Sequence, residues 1–351
     1  MRAVRIHDKG DIRIEELEAP ALALAPGKVL LTGGYTGICG SDLHLYFAPE
    51  TFPWDFSTPA KLTGATWPQI LGHEFSGQVA AVGDGVGSLR PGDRVAVFPF
   101  HYCGECPACR TGRYASCFSA AFEGIQGQSG GMAQVKIVDA DQCFVLPDTV
   151  DLGLGALVEP MAVAWHGVAL SAPEAGAAVV VGGGPIGVGA YFALKARGVE
   201  TVVVSEPSAG RRAVLAALGA QHVVDPASES LADRVRDLTG GAGADVAIDC
   251  AGVPQAFSDA LQSLGLGGRM VIVAAYEKPI EINASLLFGD KSIRTSAVYT
   301  REDFAAVIKA MGRGLYRTDG GWIETVGFED VKTALQNLRA GKGMKVLVET
   351  P

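Results

Sequence analysis

The chain has 351 residues and a formal net charge of −9, with 48% of its residues hydrophobic and 19% charged. That length suits about two domains with real cores, and so apolar a composition excludes disorder. The acidic balance argues against nucleic acid or a membrane surface as partner. Glycine, at 46 residues, is well above its usual share, so the excess must serve particular backbone positions. Of seven cysteines, Cys103, Cys106, Cys109 and Cys117 cluster while Cys39, Cys143 and Cys250 stand apart. An odd total, behind an N-terminus without an apolar signal core, argues against a secreted disulfide scaffold and predicts a cytoplasmic protein. The uncharged stretch Ala175–Leu194 could pass for a membrane span. Its many glycines make it read as strand, turn and helix instead.

Residues 1 to about 150 read as short strands with Gly/Pro turns, among them Arg2–Ile6, Lys28–Gly33, Gly77–Val82 and Arg94–Phe98. From about residue 152, apolar strands alternate with helices. The strands are Ala177–Val181, Thr201–Val204, Val223–Val224, Asp245–Asp249, Arg269–Ala274 and Ile293–Val298. The helices run to about Arg197, over Ser208–Leu218, near Ser230–Thr239 and over Pro254–Leu264. This alternation predicts a doubly wound parallel sheet buried on both faces. The tail predicts helices over Arg301–Met311 and Glu329–Ala340 and a strand over Lys345–Glu349.

Gly182-Gly183-Gly184-Pro185-Ile186-Gly187 fits G-x-G-x-x-G between a strand and a helix. Such glycines allow a tight turn and let the backbone approach a pyrophosphate at the helix N-terminus. A glycine turn can also be purely structural. The acid at the end of the next strand, Glu206, sits where the ribose 2′-OH of a dinucleotide is met. Glu206 would repel a 2′-phosphate and so favours NAD over NADP, although Arg211 or Arg212 could hold such a phosphate.

Cys103-x2-Cys106-x2-Cys109-x7-Cys117 suits a closed tetrahedral zinc site with no open position, hence a structural one. A nucleic-acid-reading zinc ribbon is disfavoured, because only Arg110 and Arg113 are basic there. Chemistry must come from elsewhere. Ile38-Cys39-Gly40-Ser41-Asp42-Leu43-His44 joins thiol, hydroxyl and imidazole on a glycine-flanked loop. His73 follows Gly72 on another turn, and Glu159 starts a helix. Cys39, His73 and Glu159 form a three-ligand set with a fourth position open, as a catalytic zinc requires. Each alone has a plainer alternative: a buried small thiol, a hydrogen-bonded turn histidine, a helix-start acid.

GICGSDLH, GHEFSGQV, VGDGVGSLRPGDRV, the four-cysteine lobe, LVEPMAVAWHGV, VVVGGGPIGVGA and VVVSEPSAGRR stand in one order along the chain. In these the chain resembles the zinc-dependent medium-chain alcohol and polyol dehydrogenases, and most of all their 2,3-butanediol branch. The resemblance implies an α/β protein with a GroES-like β-rich catalytic domain over 1–152, its structural zinc lobe at about 100–120. A Rossmann NAD-binding domain over 153–298 and a return to the catalytic domain over 299–351 would follow. It implies two zinc ions per chain and NAD. The reaction would be hydride exchange with a secondary alcohol or ketone, a vicinal diol or hydroxyketone first, with sorbitol-, xylitol- or threonine-type substrates as the alternative. Homodimers or homotetramers are implied as well.

By the same resemblance, Ser41 and His44 would form a proton relay. Glu74 would lie behind the metal, able to exchange with a ligand or water, and Cys250 and Val273 would pass close to the cofactor. Asp42 is expected to fix its loop by hydrogen bonding, and His166 to be packed. Phe52, Pro53, Trp54 and Phe56, on an insertion of roughly residues 47–66, with Trp67 just beyond, are placed to border the substrate cleft, or else to make an oligomer contact or pack on the lobe.

Overall fold

A computed structural model describes residues 1–20, 23–127, 129–172 and 176–351. The chain divides into two compact units. One comprises Met1–Glu159, Phe304–Gly312 and Ile323–Pro351; the other comprises Pro160–Asp303 and Arg313–Trp322.

The second unit is built on six parallel strands. Across the sheet they run His222–Val224, Thr201–Ser205, Ala177–Val181, Ala244–Asp249, Leu264–Ile272 and Ser292–Thr295. In chain order this is 3-2-1-4-5-6, the doubly wound arrangement whose crevice opens beyond the first and fourth strands. Every residue of Ala177–Val181 is buried, as a strand covered on both faces requires. Helices Pro185–Ala196, Ala209–Ala217, Leu231–Leu238 and Pro254–Ser263 connect the strands. Ser208 and Ser230 cap two of them, each hydroxyl accepting a backbone N–H of the first turn. Val179, Val203, Val235, Phe257, Leu261 and Met270 meet in the core. The uncharged stretch is thus strand, turn and helix, apart from Ala175, which lies outside the described residues. No helix among the described residues is long and apolar enough to cross a membrane.

Two strands differ from expectation. The fifth begins at Leu264 rather than Arg269, because its glycines enter the sheet through an irregular register: Ala244 pairs with Leu264, yet Val246 pairs with Arg269. The sixth stops at Thr295, and Val298 has left the extended region with φ 59°.

In the first unit, one sheet runs Val135–Asp139, Lys28–Thr32, Glu74–Val82, Tyr35–Gly37, Lys345–Glu349 and Ile323–Val326. Arg94–Val97 pairs with both Glu74–Val82 and Cys143–Val145. The final strand lies antiparallel to Tyr35–Gly37, which brings its first residues, Lys345 and Val346, beside Ile38. Ile323–Val326 is a strand that its short polar sequence did not announce. Helix Val331–Arg339 starts two residues later than expected, after a 3-10 turn at Phe328–Asp330. The larger correction concerns the expected loop at Ile38–His44. Gly40–Phe47 is a helix with Cys39 at its N-cap. The Asp42 carboxylate accepts the Cys39 N–H at 2.8 Å, and Leu45 and Tyr46 are buried in the core.

This sheet also buries a lysine. Lys136 is 2% exposed, and its Nζ donates to the Gly33 carbonyl and to Thr350 Oγ1, both at 2.9 Å. Burial pulls its pKa down to about 7. A neutral amine has two N–H groups, which match those two acceptors. Because the unfolded chain holds this proton up to about pH 10.4, folding stability from Lys136 rises with pH between about 7 and 10, by up to about 1.4 kcal/mol per unit. Urea unfolding of Lys136→Met across that range should show a flatter pH dependence than the natural chain. Equal slopes would mean the amine is charged in the fold.

Candidate metal centres and dinucleotide turn

Cys39, at the helix N-cap, meets His73 and Glu74 at the start of strand Glu74–Val82. A thiol sulfur, a ring nitrogen and a carboxylate oxygen from these three all lie within 4.8 Å of one another. His73 is 4% and Glu74 1% exposed. Burial disfavours an imidazolium, but the nearby Cys39, Asp42 and Glu159 outweigh it and push the His73 pKa up to about 10. Acidic groups packed this closely favour a cation among them, either a proton on the ring or a metal ion in its place. The donor chemistry suits zinc, which accepts thiolate, imidazole and carboxylate together. His73 Nδ1 and Asp42 Oδ1, 3.9 Å apart, are both buried without a hydrogen-bond partner. Burial raises the Asp42 pKa.

Glu159 lies in the first turn of helix Val158–Ser171 and is 5% exposed. Its charge acts on His73 and on Lys345, but the set within ligand reach of one another, among the described residues, contains Glu74 in its place. Glu74 has a second tie. The buried Lys345 amine bonds its carboxylate and also donates to the Ile38 carbonyl at 2.9 Å. Burial opposes a charged Lys345, yet Glu74 and Cys39 raise its pKa on balance. Gly37 makes this contact possible, since a Cβ there would lie 2.0 Å from Glu74 Oε2. Lys345 was missed in the sequence because only the folded sheet places it here.

Ser41 Oγ lies 3.1 Å from His73 Nε2. His44, one helical turn on, meets Phe52 edge-on at 6.4 Å. The insertion's aromatic residues pair as Phe52 on Trp54 and Phe56 on Trp67, against the core of the first unit. His166, in the second unit, hydrogen-bonds Asp303 through Nδ1 at 2.7 Å.

The four remaining thiols converge as well. Cys103 Sγ lies 3.9 Å from Cys109 Sγ and 3.6 Å from Cys117 Sγ, too far for disulfides. Four thiolates at about 2.3 Å around a tetrahedral zinc would stand about 3.8 Å apart. Backbone N–H groups of Cys109 and Phe118 pull the Cys106 pKa down to about 6, whereas burial pushes Cys109 up to about 12. Backbone N–H groups of Glu105 and Cys106 lower Cys103 as well, so two of the thiols are primed as thiolates and Cys109 would give up its proton to a metal.

In the second unit, the glycine turn joins Ala177–Val181 to helix Pro185–Ala196, with Gly184 at the N-cap and Pro185, then Ile186, opening the helix. Gly182 takes φ +91°, and a Cβ on Gly187 would lie 1.9 Å from the Gly182 carbonyl. Neither position admits a side chain, which leaves a backbone-lined approach to the helix N-terminus. Glu206, 3% exposed, accepts Gly183 N at 2.7 Å and Ser208 N at 2.8 Å. Each carboxylate oxygen keeps a lone pair for a ribose hydroxyl. Arg212 is tied to the Glu206 and Pro207 carbonyls and to Asp225. A Cβ on Gly184 would meet Arg211 Nη1 at 3.8 Å, so that guanidinium stands beside the turn. Cys250 N donates to the Val181 carbonyl, and Val273 N to that of Asp249, next to the crevice. Burial raises the Cys250 pKa, which leaves the thiol inert.

Comparison with known proteins bears on this geometry. Residues 25–148 match an alcohol dehydrogenase GroES-like domain and residues 185–313 a zinc-binding dehydrogenase domain. The (R,R)-butanediol dehydrogenase of Bacillus subtilis is 39% identical over 324 residues, covering 91% of this chain and 90% of that one. The sorbitol dehydrogenase of the same organism is 34% identical over 274 residues, covering 78% and 74%. A crystal structure of 2R,3R-butanediol dehydrogenase from Bacillus subtilis superposes with a TM-score of 0.89 at 36% identity, covering 99% of both chains. The chain belongs to the zinc-binding alcohol dehydrogenases, oxidoreductases with a GroES-like domain and a dinucleotide-type parallel sheet.

Proposed function

We propose that the protein is an NAD- and zinc-dependent dehydrogenase of secondary alcohols, with a vicinal diol or its hydroxyketone as substrate. The observation that carries this reading is the convergence of half-buried Cys39 with buried His73 and Glu74 beside the Ser41 hydroxyl. When bound, zinc would supply a Lewis acid for the substrate oxygen and NAD a hydride acceptor. Cys39 and His73 would hold the metal, with Glu74 or Glu159 as the carboxylate, and Cys103, Cys106, Cys109 and Cys117 would hold a second, structural ion. Lys345 keeps Glu74 paired while it is not a ligand. Ser41 Oγ would take the substrate hydroxyl proton and His44 would carry it outward. Gly182, Gly184 and Gly187 would let the backbone approach the pyrophosphate, and Glu206 would accept a ribose hydroxyl.

We also propose a homo-oligomer joined at the edge of the six-stranded sheet. Ser292–Thr295 ends that sheet, and near it Leu266 is 78% and Phe288 81% exposed. An unpaired edge with apolar neighbours is a ready surface for a second copy.

Three measurements test these assignments. Among diols, polyols and amino alcohols assayed by NADH formation, 2,3-butanediol should turn over best, and NAD should exceed NADP by about tenfold or more, the worth of one charged hydrogen bond. A preference for sorbitol would transfer the assignment to the polyols, and no turnover of any secondary alcohol would end it. Metal analysis should find about two zinc ions per chain. Cys39→Ser should lose one of them together with all turnover, and Cys106→Ser the other together with thermal stability; normal rates in Cys39→Ser would refute the ligand set. Light scattering should give a multiple of 36.4 kDa for the natural chain and a single chain mass for Leu266→Asp/Phe288→Asp. An unchanged mass would move the interface elsewhere.

A further inference from the structure

The turn that opens the insertion reaches back to His44. Thr51 closes the 3-10 turn Pro49–Thr51, and its Oγ1 lies 2.8 Å from the Ala48 carbonyl oxygen and 3.4 Å from His44 Nδ1. A hydroxyl has one proton to give. The carbonyl can only accept, and its contact is 0.6 Å shorter than the one to the ring, so the proton goes there. Toward the imidazole Thr51 therefore presents a lone pair, which Nδ1 can meet only by carrying hydrogen. In the neutral ring this leaves the basic lone pair on Nε2.

The ring is seated for this contact. Ala48 N donates to the His44 carbonyl at 2.8 Å, which closes the helix just before the turn. Phe52, the next residue after Thr51, meets the ring edge-on at 87° and is itself stacked on Trp54 at 5.4 Å. Glu50, the acid of the turn, is held by Lys9 Nζ at 2.8 Å. The insertion thus presents a neutral acceptor to Nδ1 and an apolar wall to the ring.

We propose that Thr51 is a positioning residue that fixes His44 as the Nδ1–H tautomer and so reserves Nε2 for the proton leaving the site. This rests on the reading of His44 as the outer group of the relay. Which nitrogen bears the hydrogen is set by the partner of the other, and a relay needs its acceptor on the side facing the donor.

The test uses the zinc-replete protein labelled with 15N-histidine, at a pH where imidazoles are neutral, with the His44 signals assigned by their loss in His44→Gln. Long-range 1H–15N correlation should show the Nδ1–H pattern in the natural chain. Thr51→Val, close to it in shape, should move His44 toward the Nε2–H form and lower kcat/KM about fivefold, the effect of one ordinary hydrogen bond, with KM almost unchanged. Thr51→Ser should restore both the spectrum and the rate. An Nε2–H ring in the natural chain, or an unaltered spectrum in Thr51→Val, overturns the tautomer assignment and the positioning role with it, and leaves the relay reading standing. A shifted tautomer with unchanged kcat/KM overturns the positioning role. Natural rates in His44→Gln overturn the relay reading itself, and the positioning role with it.

Discussion

The buried ion pair between Glu74 and Lys345 is the constraint around which the candidate site is arranged. A carboxylate and an ammonium this far from water are tolerable only together, and removal of one partner from such a pair costs about 3–5 kcal/mol. The pair requires the C-terminal strand to lie against Tyr35–Gly37, as it does in antiparallel register, with Ile38 N donating to the Val346 carbonyl at 2.9 Å. It also requires that residue 37 have no side chain. Once strand and glycine are in place, Cys39 is delivered two residues later, at the head of a helix, opposite His73.

From this pair follows the electrostatic character of the centre. Cys39, Asp42, Glu74 and Glu159 bring four acidic groups into one buried region, against a single lysine and one imidazole. The imidazole responds by holding its proton far above neutrality, which is also the condition for exchanging that proton for a metal ion. The four-thiol lobe reaches a similar state differently. There, backbone N–H groups favour ionised Cys103 and Cys106 while burial resists ionisation of Cys109, so binding a metal would release protons and order the lobe together.

Much of this was legible in the sequence wherever a local pattern carries its own geometry. The glycine turn announced itself because Gly182 and Gly187 sit where a side chain would strike the backbone. The strand Ala177–Val181 has the expected bounds because a run of buried apolar residues beside a glycine turn has few other uses. The cysteine spacing predicted a cluster, and the thiols do converge. The helix Gly40–Phe47 was not legible. Glycine and serine suggested a loop, while the deciding features were the Asp42 cap and the burial of Leu45 and Tyr46, both supplied by the rest of the fold. The glycine-rich start of Leu264–Ile272 misled for a related reason: it becomes strand only because Ala244 offers it a partner.

The sequence by itself determined the residue types and their short-range order: a nucleotide-type turn with an acid on the following strand, four spaced thiols, and a thiol, hydroxyl and imidazole within one helix-length segment. Those are set by spacing along the chain, which folding does not alter. Tertiary structure alone decided which carboxylate stands within reach of Cys39 and His73, that Lys345 lies behind it, and that Thr51 faces His44. Each of these depends on a distance between residues brought together by sheet register or by a turn's return path. A one-dimensional pattern holds no record of that distance.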